Sequence, residues 1–473
     1  RSRVSGEGEK YFLQCARAQC DFFPASFQDR LESLLPHVGH TITDPATGGQ
    51  PGAATQAFTA NFKLSAAPLT GFGYYRVGED GRLYLISKSE HYHAVLGHSF
   101  PGYALIDIAR RLGIPNATHN NTRGTATRQL ETELVRVCSR KSGRLNRVLN
   151  VQTGSLAAEA AFKLALARFY KPEPESPEPP YKGRTPVFAV IGDDDGGPGG
   201  NYHGTTTLTQ CLRGMWPDMR AAMERAGIMK LRSVRPNCLA DFYTLFPECE
   251  NRECKLAAFF HEIVLMNYGA RLLNREFLEH AYTLCKKHDV PIVVDEIQSC
   301  VWSPELFMFH EYGLEPDMVV VGKGFPGGEF AGSRIIFSDA FDSLPQFGAL
   351  VTNGQEELTS LAYLVTMVWA ERNADVTRSI GEYYEAAMRD ITADFPALLS
   401  GIEGRRHLLG LSFRELAVGV RFARQMNERG LDISVQTYKA DVPPSALTKL
   451  PLIAGYEVVD HLVAAMRDAL NSL

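Results

Sequence analysis

Residues 291–334 read PIVVDEIQSCVWSPELFMFHEYGLEPDMVVVGKGFPGGEFAGSR. Two short apolar runs, 291–294 and 318–321, lead into charged residues, Asp295 after the first and Lys323 just after the second. Continuous Val/Ile runs bounded by polar residues are the pattern of strands buried on both faces of a parallel sheet. Asp295 and Lys323 are therefore expected at the carboxyl ends of two such strands, where open α/β sheets bind ligands. The intervening segment, 296–316, is long enough for a helical crossover. Outward from this stretch the α/β alternation continues. Helices are expected over 130–139, 152–170 and 277–287, and strands over 147–151, 187–191 and 256–261. After Gln355 a long helix to about Arg372 leads to strands at 402–413 and 430–436 and a closing amphipathic helix at 456–470.

An acid and an amine at one sheet edge suit pyridoxal 5′-phosphate (PLP). The amine forms a Schiff base with the aldehyde, and the acid holds the ring nitrogen protonated so that the ring accepts electrons. Each fragment also has a plain reading. Asp-Glu after a strand occurs in nucleotide-hydrolysing folds, and Gly-Lys-Gly is an ordinary turn.

Taken together, Asp295-Glu296-Ile297-Gln298, Pro316-Asp317 and Gly322-Lys323-Gly324 resemble the class III (ornithine/ω-amino acid type) aminotransferases. The resemblance covers about residues 80–360. It implies PLP-dependent transferase fold type I: an α/β large domain with a mostly parallel seven-stranded sheet, and a small α+β domain from both termini. The expected bounds are 1–97 for the N-terminal part of the small domain, 98–352 for the large domain and 353–473 for the C-terminal part.

The other motifs are weaker alone and gain meaning from the resemblance. Gly154-Ser155 opens an Ala-rich helix, and a helix N-terminus favours phosphate; Ser is equally an ordinary N-cap. The family's phosphate motif matches at Thr153, Gly154, Ser155, Ala157 and Glu159, with Leu156 in place of its first Glu. Tyr202-His203-Gly204 matches an aromatic-His-Gly whose ring stacks on the pyridine, which puts Tyr202 and His203 at the cofactor. Ile297 is implied on the opposite ring face, and Gln298 at the phenolate oxygen. Glu262 supports Gln298 or the cofactor hydroxyl, or else bonds only to backbone. Thr352 matches a Thr that reaches the phosphate of a second subunit, which implies a homodimer. His98 either lines the pocket or caps a turn, and Trp302 stands at the expected mouth.

The substrate half is less legible. A substrate carboxylate is commonly gripped by a bidentate Arg, yet the two family positions for it fall at Thr205 and in the Leu447 region, neither of them Arg. Lys449, Arg405 and Arg406 are substitutes without a placement, and residues 211–255 match nothing clear.

Composition narrows the classes. A net charge of −5 is too mild to point to nucleic acid or a membrane surface, and no apolar run approaches the ~20 residues of a membrane span. Nine scattered cysteines favour reduced thiols and a cytoplasmic location. The N-terminus lacks a secretory core, and an absent initiator Met leaves a removed targeting segment open. The three carboxylates Asp193–Asp195 read as a solvated turn, with no metal expected. The leading function is transamination between an amine or amino acid and a carbonyl acceptor, with Lys323 and Asp295 catalytic. Racemisation, decarboxylation and elimination or replacement share the same carbanion and are the alternative. A nucleotide-binding or non-catalytic homologue is a third reading, unsupported by any GxGxxG or Walker motif.

Overall fold

The computed structural model describes residues 1–46, 52–56, 66–116, 122–141, 143–436 and 442–473. Part of the Gly/Pro-rich connector at 44–53 lies outside them. The chain forms two compact units, Arg1–Leu112 with Asp375–Leu473, and Gly113–Ala374. Their borders fall at 112/113 and 374/375; the sequence reading places domain borders at 97/98 and 352/353.

The central unit is built on seven strands: β1 (Arg147–Val151), β2 (Thr185–Ile191), β3 (Lys230–Val234), β4 (Cys254–His261), β5 (Ile292–Asp295), β6 (Met318–Val321) and β7 (Ser333–Phe337). They are ordered β1-β7-β6-β5-β4-β2-β3. β5 runs parallel to both β4 and β6, while β7 is antiparallel to β6 and β1. Every residue of β4, β5 and β6 is buried. That is why these strands read as unbroken apolar runs without alternation. Helix α1 (Gly154–Leu166) lies on the sheet through Ala157, Ala160, Ala161 and Ala165, all buried in one core with Val151, Val293, Val320 and Ile335. Small side chains let this helix approach the strands closely, and larger residues at those positions would overpack the interface.

The crossover from β5 to β6 differs from expectation. Residues 296–316 contain one helical turn, Met308–Tyr312, within a run of turns. The buried Glu296 carboxylate accepts the Phe309 N–H (2.8 Å) and the Ser299 hydroxyl. A side chain here supplies acceptors that helix carbonyls would otherwise provide.

The terminal unit carries an antiparallel three-stranded sheet (Pro68–Phe72, Tyr75–Gly78, Leu83–Leu85) and a four-stranded antiparallel one. The strand expected over 402–413 is a hairpin, Leu399–Arg405 with Leu408–Phe413, turned at Arg406 with φ 49°. The strand expected over 430–436 shortens to Val435–Gln436, and the closing helix is Tyr456–Asn471.

Candidate active site

β4, β5 and β6 end side by side, and their last residues deliver the polar groups. Asp295 closes β5, Glu262 follows β4, and Lys323 follows β6 one glycine on. Lys323 has φ 41°, in the left-handed region that a non-glycine residue seldom adopts. Gly322 backs against Ser333, where a Cβ would stand 2.3 Å from the Ser333 hydroxyl oxygen. The turn is thus tight on both counts.

A line of polar groups runs inward from the lysine. Lys323 Nζ donates to Gln298 Oε1 (3.4 Å), and Gln298 Nε2 donates to Glu262 Oε2 (3.1 Å). The Tyr202 N–H reaches Glu262 Oε1 at 3.4 Å. Glu262 is bonded to a side chain, so it does more than satisfy backbone. Burial pushes the Lys323 ammonium down to about 8, against the opposing pull of the Glu262 and Asp295 carboxylates. An amine with that proton affinity is neutral often enough near neutral pH to act as a nucleophile and a base.

Asp295 has its own support. Its Oδ1 accepts the Ile297 N–H (3.0 Å), and its Oδ2 is 2.8 Å from His203 Nδ1. An ionised carboxylate only accepts, so Nδ1 carries the imidazole proton in this pair. His203 is wholly buried, packs on Phe260 at 5.6 Å between ring centroids, and has no hydrogen-bond partner at Nε2 among the described residues. His203 therefore meets Asp295 rather than standing alone at the pocket.

The third element is the α1 N-terminus. Thr153 caps it by accepting from the Leu156 N–H (3.4 Å), and the first-turn N–H groups of Gly154 and Ser155 have no intrahelical acceptor. A Cβ on Gly154 would lie 2.4 Å from Ile297 Cδ1, so Ile297 closes over the helix start. The loop after Tyr202 folds onto the same point. Gly204 has φ 116° and leaves no room for a Cβ against Ser155 Cα (2.6 Å). Thr205 N–H donates to Ser155 Oγ (2.9 Å), and the two hydroxyl oxygens lie 3.3 Å apart, with either able to donate to the other. Thr205, at the position where the resemblance implies a carboxylate-binding Arg, is thus tied to the start of α1. Thr206 bonds Glu159 (2.7 Å) and holds the loop down.

Thr352 lies in an exposed loop, two residues before Gly354, which packs on the Asn150 carbonyl of β1. Trp302 is buried, 2% exposed, and not a rim residue. His98 belongs to the terminal unit and bonds Glu90 (2.9 Å). Asp193 accepts the N–H groups of Asp195 (3.2 Å) and Gly197 (2.6 Å), which makes that acidic run a turn. Among the described residues no cluster of three metal-ligating side chains occurs. One neighbour had no sequence signal. Arg213 places its guanidinium 4.9 Å from the Tyr202 ring centroid, within the stretch that matches no motif.

Residues 64–434 match the family model for aminotransferase class-III. The chain belongs to the class III aminotransferase family. Its relatives include an acetylornithine aminotransferase of Aquifex aeolicus, 22% identical over 86% of this chain and 98% of that protein. A diaminobutyrate–2-oxoglutarate transaminase of Streptomyces avermitilis is 29% identical over 40% of this chain, and the chain spans about half that protein's length (46%). Among solved structures, a transaminase from a marine Virgibacillus superposes with TM-score 0.73 at 16% identity, covering 94% of this chain and 98% of that one. Ornithine δ-aminotransferase of Plasmodium falciparum gives 0.68 at 16% identity, over 94% and 98%. At these identities the structural likeness establishes the fold, which is fold type I. The family's cofactor is PLP, and the donor set fits it: a lysine of lowered proton affinity, a carboxylate braced by an imidazole, and a helix start with free N–H groups.

Proposed function

We propose that this class III aminotransferase moves an amino group between an amine or amino acid and a keto acceptor, and that the residues gathered at the strand ends carry the reaction. The observation that carries this reading is the line Lys323–Gln298–Glu262 beside the Asp295–His203 pair. PLP, when bound, supplies an electron sink for negative charge at the substrate Cα. Lys323 Nζ would hold the cofactor through its aldehyde carbon, and its lowered proton affinity suits it as the base that would move the proton at the substrate Cα. Asp295 keeps the ring nitrogen protonated, and His203 fixes which carboxylate oxygen faces it. Gly154 and Ser155 would hold the phosphate, Ile297 and Tyr202 would flank the ring, and Gln298, oriented by Glu262, would donate to the phenolate. Thr352 completes the phosphate contacts of a second copy, which makes the working enzyme a homodimer. All nine cysteines are free thiols, in keeping with a reducing compartment such as the cytoplasm, and among the described residues no helix is long and apolar enough to cross a membrane.

The test is the visible spectrum of the purified enzyme with added PLP. A band that forms with wild type and is lost in Lys323→Ala, together with at least a thousandfold fall in amine-dependent turnover, is the expected result. The rate of cofactor capture by the stripped enzyme should rise with pH to a midpoint near 8, since the neutral amine is the nucleophile. Conversion of the band by an amine to the aminated cofactor establishes transamination. Loss of CO2 or racemisation without that conversion would replace transamination with another reaction of the same site.

A further inference from the structure

Lys323 has a side-chain partner in Gln298, whereas Arg213, the cation on the Tyr202 ring, has no such side-chain acceptor among the described residues. Its backbone is fixed. The N–H groups of Arg213, Gly214 and Met215 donate to the Gln210 carbonyl (3.2 Å), the Cys211 carbonyl (3.0 Å) and the Gln210 carbonyl again (3.0 Å). Gly214 takes φ 85° and Trp216 φ 57°, so the chain reverses directly after it. Its side chain is held differently. Among the described residues the guanidinium has no carboxylate and no hydrogen-bond acceptor, and it rests on the Tyr202 ring 4.9 Å from the centroid. Tyr202 is in turn joined through its N–H to Glu262, and so through Gln298 to Lys323.

A planar cation on a pinned base, half-buried and resting on a ring face, suits a fork that receives a planar anion. Three of the alternatives raised by the sequence are already engaged. Thr205 serves Ser155. In the terminal unit Lys449 is wholly buried with its Nζ over the Tyr92 ring (4.3 Å), and Arg406 is buried and paired with Glu382 (3.7 Å). We propose that Arg213 is the specificity residue that receives the carboxylate of the substrate, from a position in the chain that the usual motifs do not mark. The inference rests on Tyr202 flanking the cofactor, and it defines the preferred amines as those bearing a carboxylate.

The experiment is calorimetric titration of the PLP-loaded enzyme with glutarate, a non-reactive dicarboxylate, for wild type, Arg213→Met and Arg213→Lys. Steady-state comparison of 5-aminopentanoate with pentylamine accompanies it, and melting temperature and the visible band serve as controls. The expected result is glutarate binding weakened about tenfold to a hundredfold in Arg213→Met and partly restored in Arg213→Lys. KM for 5-aminopentanoate should rise in parallel while that for pentylamine stays level. Equal glutarate binding by all three proteins, or equal losses on both amines, overturns the assignment and leaves Arg213 as a brace for Tyr202. Failure of the band in wild type would instead overturn the proposed function, and glutarate titration of the same protein still decides Arg213.

Discussion

Lys323, Asp295 and Glu262 stand at or just beyond the ends of three adjacent buried strands, whereas Tyr202, His203, Thr205 and Arg213 arrive from a long connection between β2 and β3. The strand ends are held by a sheet buried on both faces, so each side chain's origin is set by backbone pairing. The connection has no such frame. Its position is set by individual contacts: Gly204 on Ser155, Thr206 on Glu159, His203 on Asp295. In the proposed reaction the strand ends supply the groups that exchange protons, and the connection supplies groups that aim or flank them.

Substitution at Asp295 and His203 tests that division directly. Asp295→Asn keeps the shape and removes the charge, and a loss of about 10²–10³ in kcat is expected. His203→Gln should cost only about tenfold, because the carboxylate survives with a looser aim. Equal losses would break the distinction between acting and aiming groups.

Glu296 sharpens it from the other side. It neighbours Asp295 but turns into the core, where burial raises its carboxyl to about 7. A carboxyl whose folded pKa lies above its unfolded value favours the native state at low pH. That contribution is full below about 4.5 and is lost as pH rises through 7. Wild type should therefore lose stability on the order of 3 kcal/mol across that window, and Glu296→Gln should flatten the curve in denaturant titrations at several pH values.

The connection has its own probe in Gly204→Ala. The new methyl meets the Ser155 main chain, and the residue would keep φ 116°. A stability loss of about 2 kcal/mol and weaker PLP retention are expected, measured by thermal melting and by dialysis. Unchanged retention would show that the loop does not shape the phosphate end.

Much of the frame was legible because burial on both faces writes a short, unambiguous code. β5 and β6 were visible as Val/Ile runs, and Lys323 and Asp295 followed from where those runs stop. The Ala-rich α1 was visible for the same reason, its small residues being demanded by close approach to the sheet. The crossover 296–316 was not, since nothing local shows that Glu296 will cap Phe309 and replace helical bonding with turns. The 402–413 hairpin was missed because its turn at Arg406 uses a left-handed arginine in place of a glycine or asparagine. Arg213 was invisible for a further reason. Its only marker is a ring eleven positions earlier, and no periodicity links a loop arginine to a loop tyrosine.

The antiparallel placing of β7 against β6 has a consequence in time. Residues 322–332 return directly to the neighbouring strand, with Val321 opposite Arg334, so the lysine's loop closes at small entropic cost. Its partners come from farther along the chain. Gln298 is 25 residues away, Glu262 joins Gln298 across 36, and His203 reaches Asp295 across 92. Non-local contacts of that span form late. During folding the turn that carries Lys323 is shaped before the surroundings that lower its proton affinity, so under the proposed chemistry capture of the aldehyde would report that folding has finished.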